Sequence, residues 1–201
     1  MSQQFAWQEV KTEYREVRGE ELRWLVNREK ILNTATGQTV TRAVIRHPGI
    51  CVITPFLADD QIVMMRQYRY SLDSELWELP AGTLNGREES GRMVPTESPE
   101  ECAARELREE TGYEAARWEK VAECYATPGN GDEIIHVFFA SQLTPHEQQL
   151  DVGEIINEIR GFSGAELETM IARGEIRDAK TLIGLFHALS RRANGLRIAR
   201  D

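Results

Sequence analysis

Glu97-Ser-Pro-Glu-Glu-Cys-Ala-Ala-Arg-Glu-Leu-Arg-Glu-Glu-Thr-Gly112 decides how this chain is read. Its opening is a helix start. Ser98 suits the N-cap, Pro99 the first helical position, and Glu101 completes a capping box. Gly112 supplies a left-handed C-terminal cap, so the spacing predicts a helix over 98–111. Cys102, Ala103 and Leu107 share a core-facing side. Glu100 and Glu101 sit where the helix dipole favours them, by about 0.3–1 kcal/mol each. Glu106, Glu109 and Glu110 sit where it opposes them. Glu109 has Arg105 one turn back. Glu106 and Glu110 have no basic residue at i±3 or i±4 and repel each other, at a cost of roughly 0.2–0.5 kcal/mol. Uncompensated carboxylates on one face of a helix end point to a hard cation such as Mg²⁺ or Mn²⁺. A solvated acidic face, or a basic partner from elsewhere in the fold, remains open at this point.

Outward from that helix, strands are expected at Ile50–Leu57, Gln61–Tyr68, Glu75–Leu79, Trp118–Tyr125, Ile134–Ala140 and Ile155–Phe162. Ala58-Asp-Asp60 joins the first two. Further helices are expected at 164–173, opened by the capping box Ser163-Gly-Ala-Glu166, and at 179–193. In the latter, Leu182, Leu185, Phe186 and Leu189 form an i, i+3, i+4, i+7 stripe. Residues 1–46 read as a small antiparallel sheet, in which Leu22, Trp24 and Val26 share one parity and Asn33–Gly37 makes a turn. Residues 83–97 are polar, contain Gly86, Gly91 and Pro95, and read as a loop. This order predicts an α/β class, with helices packed on a mixed sheet. The expected organisation is an N-terminal β subdomain at 1–46 and a second domain at 47–201.

Composition bounds the partners. The chain has 201 residues, with 24 Lys+Arg against 33 Asp+Glu, a net charge of −9. An acidic surface argues against nucleic acid and against an anionic membrane. A small anionic substrate stays possible where a cation or a few Arg residues reverse the local field. The length can bury on the order of 70% of the unfolded surface. Neither a spanning apolar run nor a basic-then-apolar leader is evident, and the three Cys have no metal or redox spacing. Reduced thiols, buried at Cys51 and Cys102, and a cytoplasmic location are expected.

Residues Gly91, Glu97, Arg105-Glu106-Leu107, Glu109-Glu110 and Gly112 fit the fixed positions of the Nudix hydrolase signature, with Tyr113 in the last place. The resemblance extends to Arg66-Gln-Tyr-Arg69, Leu76-Trp-Glu-Leu-Pro-Ala-Gly82 and Thr127-Pro-Gly129, which look like ADP-ribose pyrophosphatases. In that group the opening Gly belongs to the Glu-Leu-Pro-Ala-Gly run. Gly82 to Glu97 is fifteen positions where the signature has six, so this chain resembles a member with about nine extra residues. That predicts Ala81 and Gly82, not Gly91, beside the metals, and a mobile loop around Gly86–Pro95.

The resemblance implies an α/β/α Nudix sandwich and hydrolysis of ADP-ribose to AMP and ribose 5-phosphate. Another nucleoside-diphosphate sugar or dinucleotide is the alternative, and a non-catalytic sensing domain a lesser one. It implies roughly two or three Mg²⁺ or Mn²⁺ ions, held by Glu106, Glu110 and the Ala81 carbonyl, with Glu109 nearby. Glu97 and Arg105 are expected as a structural pair, and Gly112 as part of the same box. Glu154 is expected as general base or third-metal ligand, with Asp151 second. Arg69 is expected as a phosphate clamp. Glu78, Gly82, Gly129 and Glu133 are expected at the substrate, and Trp24 against adenine. A domain-swapped homodimer is the expected assembly.

Overall fold

A computed structural model describes residues 4–18, 21–57 and 61–193. The expected connection Ala58–Asp60 lies outside the described residues. Contacts divide the chain into two compact units: residues 1–50, 83–99 and 124–135, and residues 51–82, 100–123 and 136–201.

The first unit is built on long antiparallel strands. β1 (Phe5–Arg18) pairs with β2 (Glu21–Asn33), which pairs with β3 (Thr39–Arg46). The Asn33 side chain accepts hydrogen bonds from the amides of Ala35 and Thr36, and Gly37 takes φ +70°, which closes the expected turn. Buried positions on β2 are Arg23, Leu25, Asn27 and Glu29; Leu22, Trp24 and Val26, on the other parity, are half-buried. The buried Glu29 is answered by Arg46, whose guanidinium takes both its oxygens at 2.8 and 2.7 Å and reaches Asp132 at 2.8 Å. Asp132 also accepts from the His47 amide, so the loop at residues 126–133 is tied to the end of β3.

The stretch 83–97 is not a loop. After β4 (Ile50–Pro55), β5 (Gln61–Arg69), β6 (Ser74–Glu78) and β7 (Ala81–Thr83), it folds as the hairpin β8 (Gly86–Glu89) and β9 (Arg92–Pro95). Gly86 of the hairpin pairs with Leu22 of β2. Ser90 and Gly91 both have positive φ, +52° and +76°, as a two-residue type I′ turn requires. The buried Asn27 donates to the Gly91 carbonyl at 2.6 Å. Polar strands on a sheet edge carry no alternating apolar signal, so the composition read as loop.

The second unit holds helix α1 (Pro99–Thr111), β10 (Tyr113–Tyr125), β11 (Ile134–Pro145), β12 (Ile156–Ser163), α2 (Gly164–Ala172) and α3 (Ala179–Ala193). Sheet orders are β10-β11-β4-β7 and β12-β5-β6. Cys51, Val52, Ile53 and Thr54 of β4 are fully buried. Alternate side chains of a strand face opposite ways. Cys51 meets Cys102 of α1, Sγ to Sγ at 3.1 Å, while Thr54 lies against Gly184 of α3. A helix on each face of one strand is the expected α/β/α arrangement. Both thiols are free and buried. A Cβ on Gly184 would come 2.6 Å from Leu79 Cδ1, so the absence of a side chain there permits the close approach of α3. The expected capping box opens α2, with Ser163 Oγ accepting from Glu166 and Glu166 accepting from the Ser163 amide.

Helix α1 ends as its sequence predicts. Gly112 has φ +69°, and a Cβ there would lie 2.9 Å from the His146 carbonyl oxygen. Gln149 N and Gln148 Nε2 then donate to the last carbonyls of the helix, at Glu109 and Glu110. Gly112→Ala combines a left-handed backbone with a backbone clash. It is expected to destabilise by about 1–3 kcal/mol, read as a lower denaturant midpoint at unchanged m-value.

Candidate active site

The site grows from the inner face of α1. Glu106 and Glu110, one turn apart, are both buried, at 6% and 1% exposure. Burial raises the Glu106 carboxyl to about 7, Arg105 opposes the rise, and the charges of Glu109 and Glu154 add to it. Burial also raises Glu110 well above the carboxylate range, helped by Glu106 and Glu154. The Ala81 amide at 2.8 Å and the charge of Arg69 hold it back. Glu109 is raised mainly by burial, against Arg105. Glu154, half-buried and accepting from the Asp151 amide at 3.3 Å, is thus close enough to act on all three box carboxylates.

Arg105 corrects the helix-spacing argument. Its guanidinium reaches the adjacent Glu106 at 2.7 Å as well as Glu109 at 3.1 Å. A long side chain bridges neighbours that i±3 and i±4 counting omits. Glu110 has no such cation on the helix, which leaves a buried carboxylate answered mainly by one amide. Oxygen-only donors with incomplete compensation fit a hard divalent cation. In the arrangement described, Glu106 turns to Arg105, and among the described residues no three His, Cys, Asp or Glu side chains are gathered to enclose an ion.

The segment 78–81 faces this helix and is held at each residue. Glu78, 1% exposed, takes Arg69 Nε at 2.7 Å and Nη2 at 2.5 Å, and also Lys180 Nζ. The Leu79 amide donates to Thr181 Oγ1 at 2.9 Å. The Pro80 carbonyl accepts from Ile53 N, and the Ala81 amide donates to Glu110. Gly82 follows: a Cβ there would stand 1.8 Å from Glu106 Oε1. Gly91 sits at the hairpin turn of the first unit, against Val10 and Asn27.

A family model described as "NUDIX domain" matches residues 45–183. The chain belongs to the Nudix family. This Nudix chain is 35% identical over 147 residues to an "ADP-ribose pyrophosphatase" of Bacillus subtilis (strain 168), covering 72% of this chain and 74% of that one. It is 37% identical over 151 residues to a "Methanol dehydrogenase activator" of Bacillus methanolicus, covering 74% and 76%. A solved structure described as an "ADP compounds hydrolase" superposes with a TM-score of 0.73 at 20% identity, over 97% of this chain and 98% of that one. The last likeness concerns the fold.

Within the second unit the Nudix chain brings together Glu106, Glu109, Glu110, Glu154, Ala81 and Gly82, with Glu78 and Arg69 beside them. Glu97, Trp24, Gly129 and Glu133 belong to the first unit. There Glu97 accepts from the Asn85 amide at 2.7 Å, and Trp24 lies 5.5 Å from the Tyr14 ring. Gly129 is exposed in the turn closed by Asn130 N on the Thr127 carbonyl, and the Glu133 carbonyl accepts from Ala126. The sequence reading missed Lys180, Asp178 and Thr181. The signal was there: Asp178 is an N-cap residue three positions before Thr181, and its Oδ2 accepts from the Thr181 amide at 2.9 Å. Burial works against the Asp178 carboxylate, yet Lys180 and Thr181 outweigh it and lower its pKa.

No helix among the described residues is long and apolar enough to cross a membrane.

Proposed function

We propose that this Nudix chain hydrolyses the pyrophosphate bond of ADP-ribose, giving AMP and ribose 5-phosphate. The observation that carries the reading is the pair of buried, under-compensated carboxylates, Glu106 and Glu110, facing the pinned segment 78–82. The Bacillus subtilis relative supports the choice of substrate. Glu106, Glu110 and the Ala81 carbonyl would hold Mg²⁺ or Mn²⁺, roughly two or three ions, with Glu109 at the margin. Bound there, the cations neutralise the diphosphate and lower the pKa of water. Arg69 binds a phosphate oxygen through its guanidinium, of which Glu78 takes only one side. Glu154 accepts the proton of the attacking water as its oxygen bonds to phosphorus and the bridging P–O bond breaks, with Asp151 as the second candidate. Arg105, together with Glu97, orders the box. Gly129 and Glu133 serve the terminal ribose and Trp24 the adenine.

Residues 1–46 form the subdomain that completes the pocket in a domain-swapped homodimer in the cytoplasm. Exposed Phe5, Trp7, Tyr14 and Val17 on β1 favour a covered N-terminal sheet.

The test is product analysis of ADP-ribose, ADP-mannose, GDP-mannose, NADH and diadenosine polyphosphates, each with protein and Mg²⁺. AMP and ribose 5-phosphate from ADP-ribose at the highest kcat/KM are expected. Preferred cleavage of a dinucleoside polyphosphate overturns the reading. Gly82→Ala should cost about 10²-fold in kcat/KM, because the new Cβ displaces the Glu106 carboxylate. Its Tm should move little, since the clash falls on the tip of a flexible side chain. A large Tm loss with normal turnover per folded molecule would place the role of Gly82 in folding alone.

A further inference from the structure

We propose that Lys180, at the start of α3, is a positioning residue that keeps Arg69 available to an anionic substrate. The proposal rests on the reading of Arg69 as a phosphate-binding side chain. Four charged groups form one cluster in the second unit. Arg69 and Lys180 both bind Glu78, and Lys180 also binds Asp178 Oδ1 at 2.9 Å. Side-chain exposure is 1% for Glu78, 16% for Lys180 and Asp178, and 33% for Arg69. Burial in a low-dielectric setting makes the balance among these charges count.

Two cations and two anions leave the cluster neutral. Glu78 alone would neutralise Arg69 and turn it into a closed ion pair. With Lys180 sharing the same carboxylate, part of the guanidinium's positive field remains for a ligand. The geometry allows this: Nε and Nη2 of Arg69 are spent on Glu78, while among the described residues Nη1 has no hydrogen-bond partner. The field of Arg69 also reaches Glu110, which places the guanidinium close to the box carboxylates. Lys180 is itself fixed, because Asp178 caps α3 and Thr181 holds the Leu79 amide. Among the described residues the ion-pair partners of Lys180 are Glu78 and Asp178, and neither belongs to the box. It acts through Glu78, on the direction and effective charge of Arg69.

Charge positioning and simple bracing predict different results from paired variants. Lys180→Met leaves the cluster one charge negative. Lys180→Met with Asp178→Asn is neutral again, and Asn keeps an N-cap oxygen for α3. Full-length variants are compared in steady-state hydrolysis of ADP-ribose with Mg²⁺, and in calorimetric titration of the metal-free protein with inorganic pyrophosphate. For Lys180→Met, KM and the pyrophosphate Kd should rise about 10- to 100-fold with kcat little changed, the scale of one charge-assisted hydrogen bond. Lys180→Arg should restore both, and the double variant should recover most of the loss. A double variant as impaired as Lys180→Met overturns the proposal. So does a Lys180→Met protein whose pyrophosphate Kd matches wild type, or a wild type that does not bind pyrophosphate. If Lys180→Met does not fold, Lys180→Arg against Asp178→Asn decides: the former should bind pyrophosphate as wild type does and the latter more tightly, and equal weakening of both overturns it. A wild type that binds pyrophosphate but leaves ADP-ribose intact overturns the functional reading and not this one.

Discussion

Glu110→Gln should reduce kcat on ADP-ribose by on the order of 10³-fold while leaving the metal-free protein as stable as wild type, or more so. The two effects have one cause. Glu110 is 1% exposed, its ionised form is disfavoured by burial and by Glu106 and Glu154, and a single backbone amide answers it directly. An amide of the same shape keeps an oxygen for the Ala81 N–H and sheds the buried charge. What it loses is the anionic donor for a cation. Thermal scans with and without Mg²⁺ separate the two: wild type should gain Tm with the metal, by mass action on the folded state, and Glu110→Gln should gain little. A variant with normal turnover, or one whose metal-free Tm falls by 10 degrees or more (roughly 3–5 kcal/mol at this chain length), removes Glu110 from the metal site and makes it a structural residue.

Glu154→Gln should lower kcat about 10²- to 10⁴-fold, the usual worth of a positioned general base, with KM within a few fold of wild type. Its carboxylate is half-buried on the segment before β12 and its charge reaches Glu106, Glu109 and Glu110. An ordinary solvated surface Glu does not repel two buried carboxylates and a half-buried one at once. Asp151→Asn is the control, since Asp151 lies on the same turn and acts on Glu109. If Asp151→Asn carries the loss and Glu154→Gln turns over normally, the assignments exchange. Near-normal kcat in both sinks the acidic turn as the source of the base.

The features legible in the sequence were those set by local chemistry. Helices α1, α2 and α3 begin and end within a residue or two of expectation, because Pro99, Gly112, the Ser163–Glu166 box and the stripe of α3 act within a turn or two of the chain. β4 and β5 announced themselves as apolar runs, since both their faces are covered. The 83–97 hairpin was illegible because its partners lie some sixty to ninety residues earlier: Gly86 pairs with Leu22, Glu88 binds Arg15 and Arg92 lies over the Trp7 ring. Arg105 on Glu106 was missed by counting only one helical turn away. Lys180 was missed because its partners, Glu78 and Asp178, lie one a hundred positions off and one at the N-cap, so only the fold brings three charges together. The carboxylates of the box, by contrast, stood out because a helix C-terminus gives acidic residues no reason of its own to be there.

The hairpin bears on how such chains are found. Its two ends meet: Gly86 pairs with Pro95, and Thr96 N donates to the Asn85 carbonyl at 2.7 Å. A segment that closes on itself can lengthen or shorten while Asn85 and Thr96 stay joined. Pattern searches that fix five residues between glycine and glutamate therefore retrieve this chain only because the hairpin turn happens to place a glycine at 91. A sibling with Asn at that turn and a smaller side chain in place of Val10, whose Cγ1 lies 2.8 Å from where a Cβ on residue 91 would stand, would keep the turn and escape the search, although the glycine that makes room for Glu106 would still be in place.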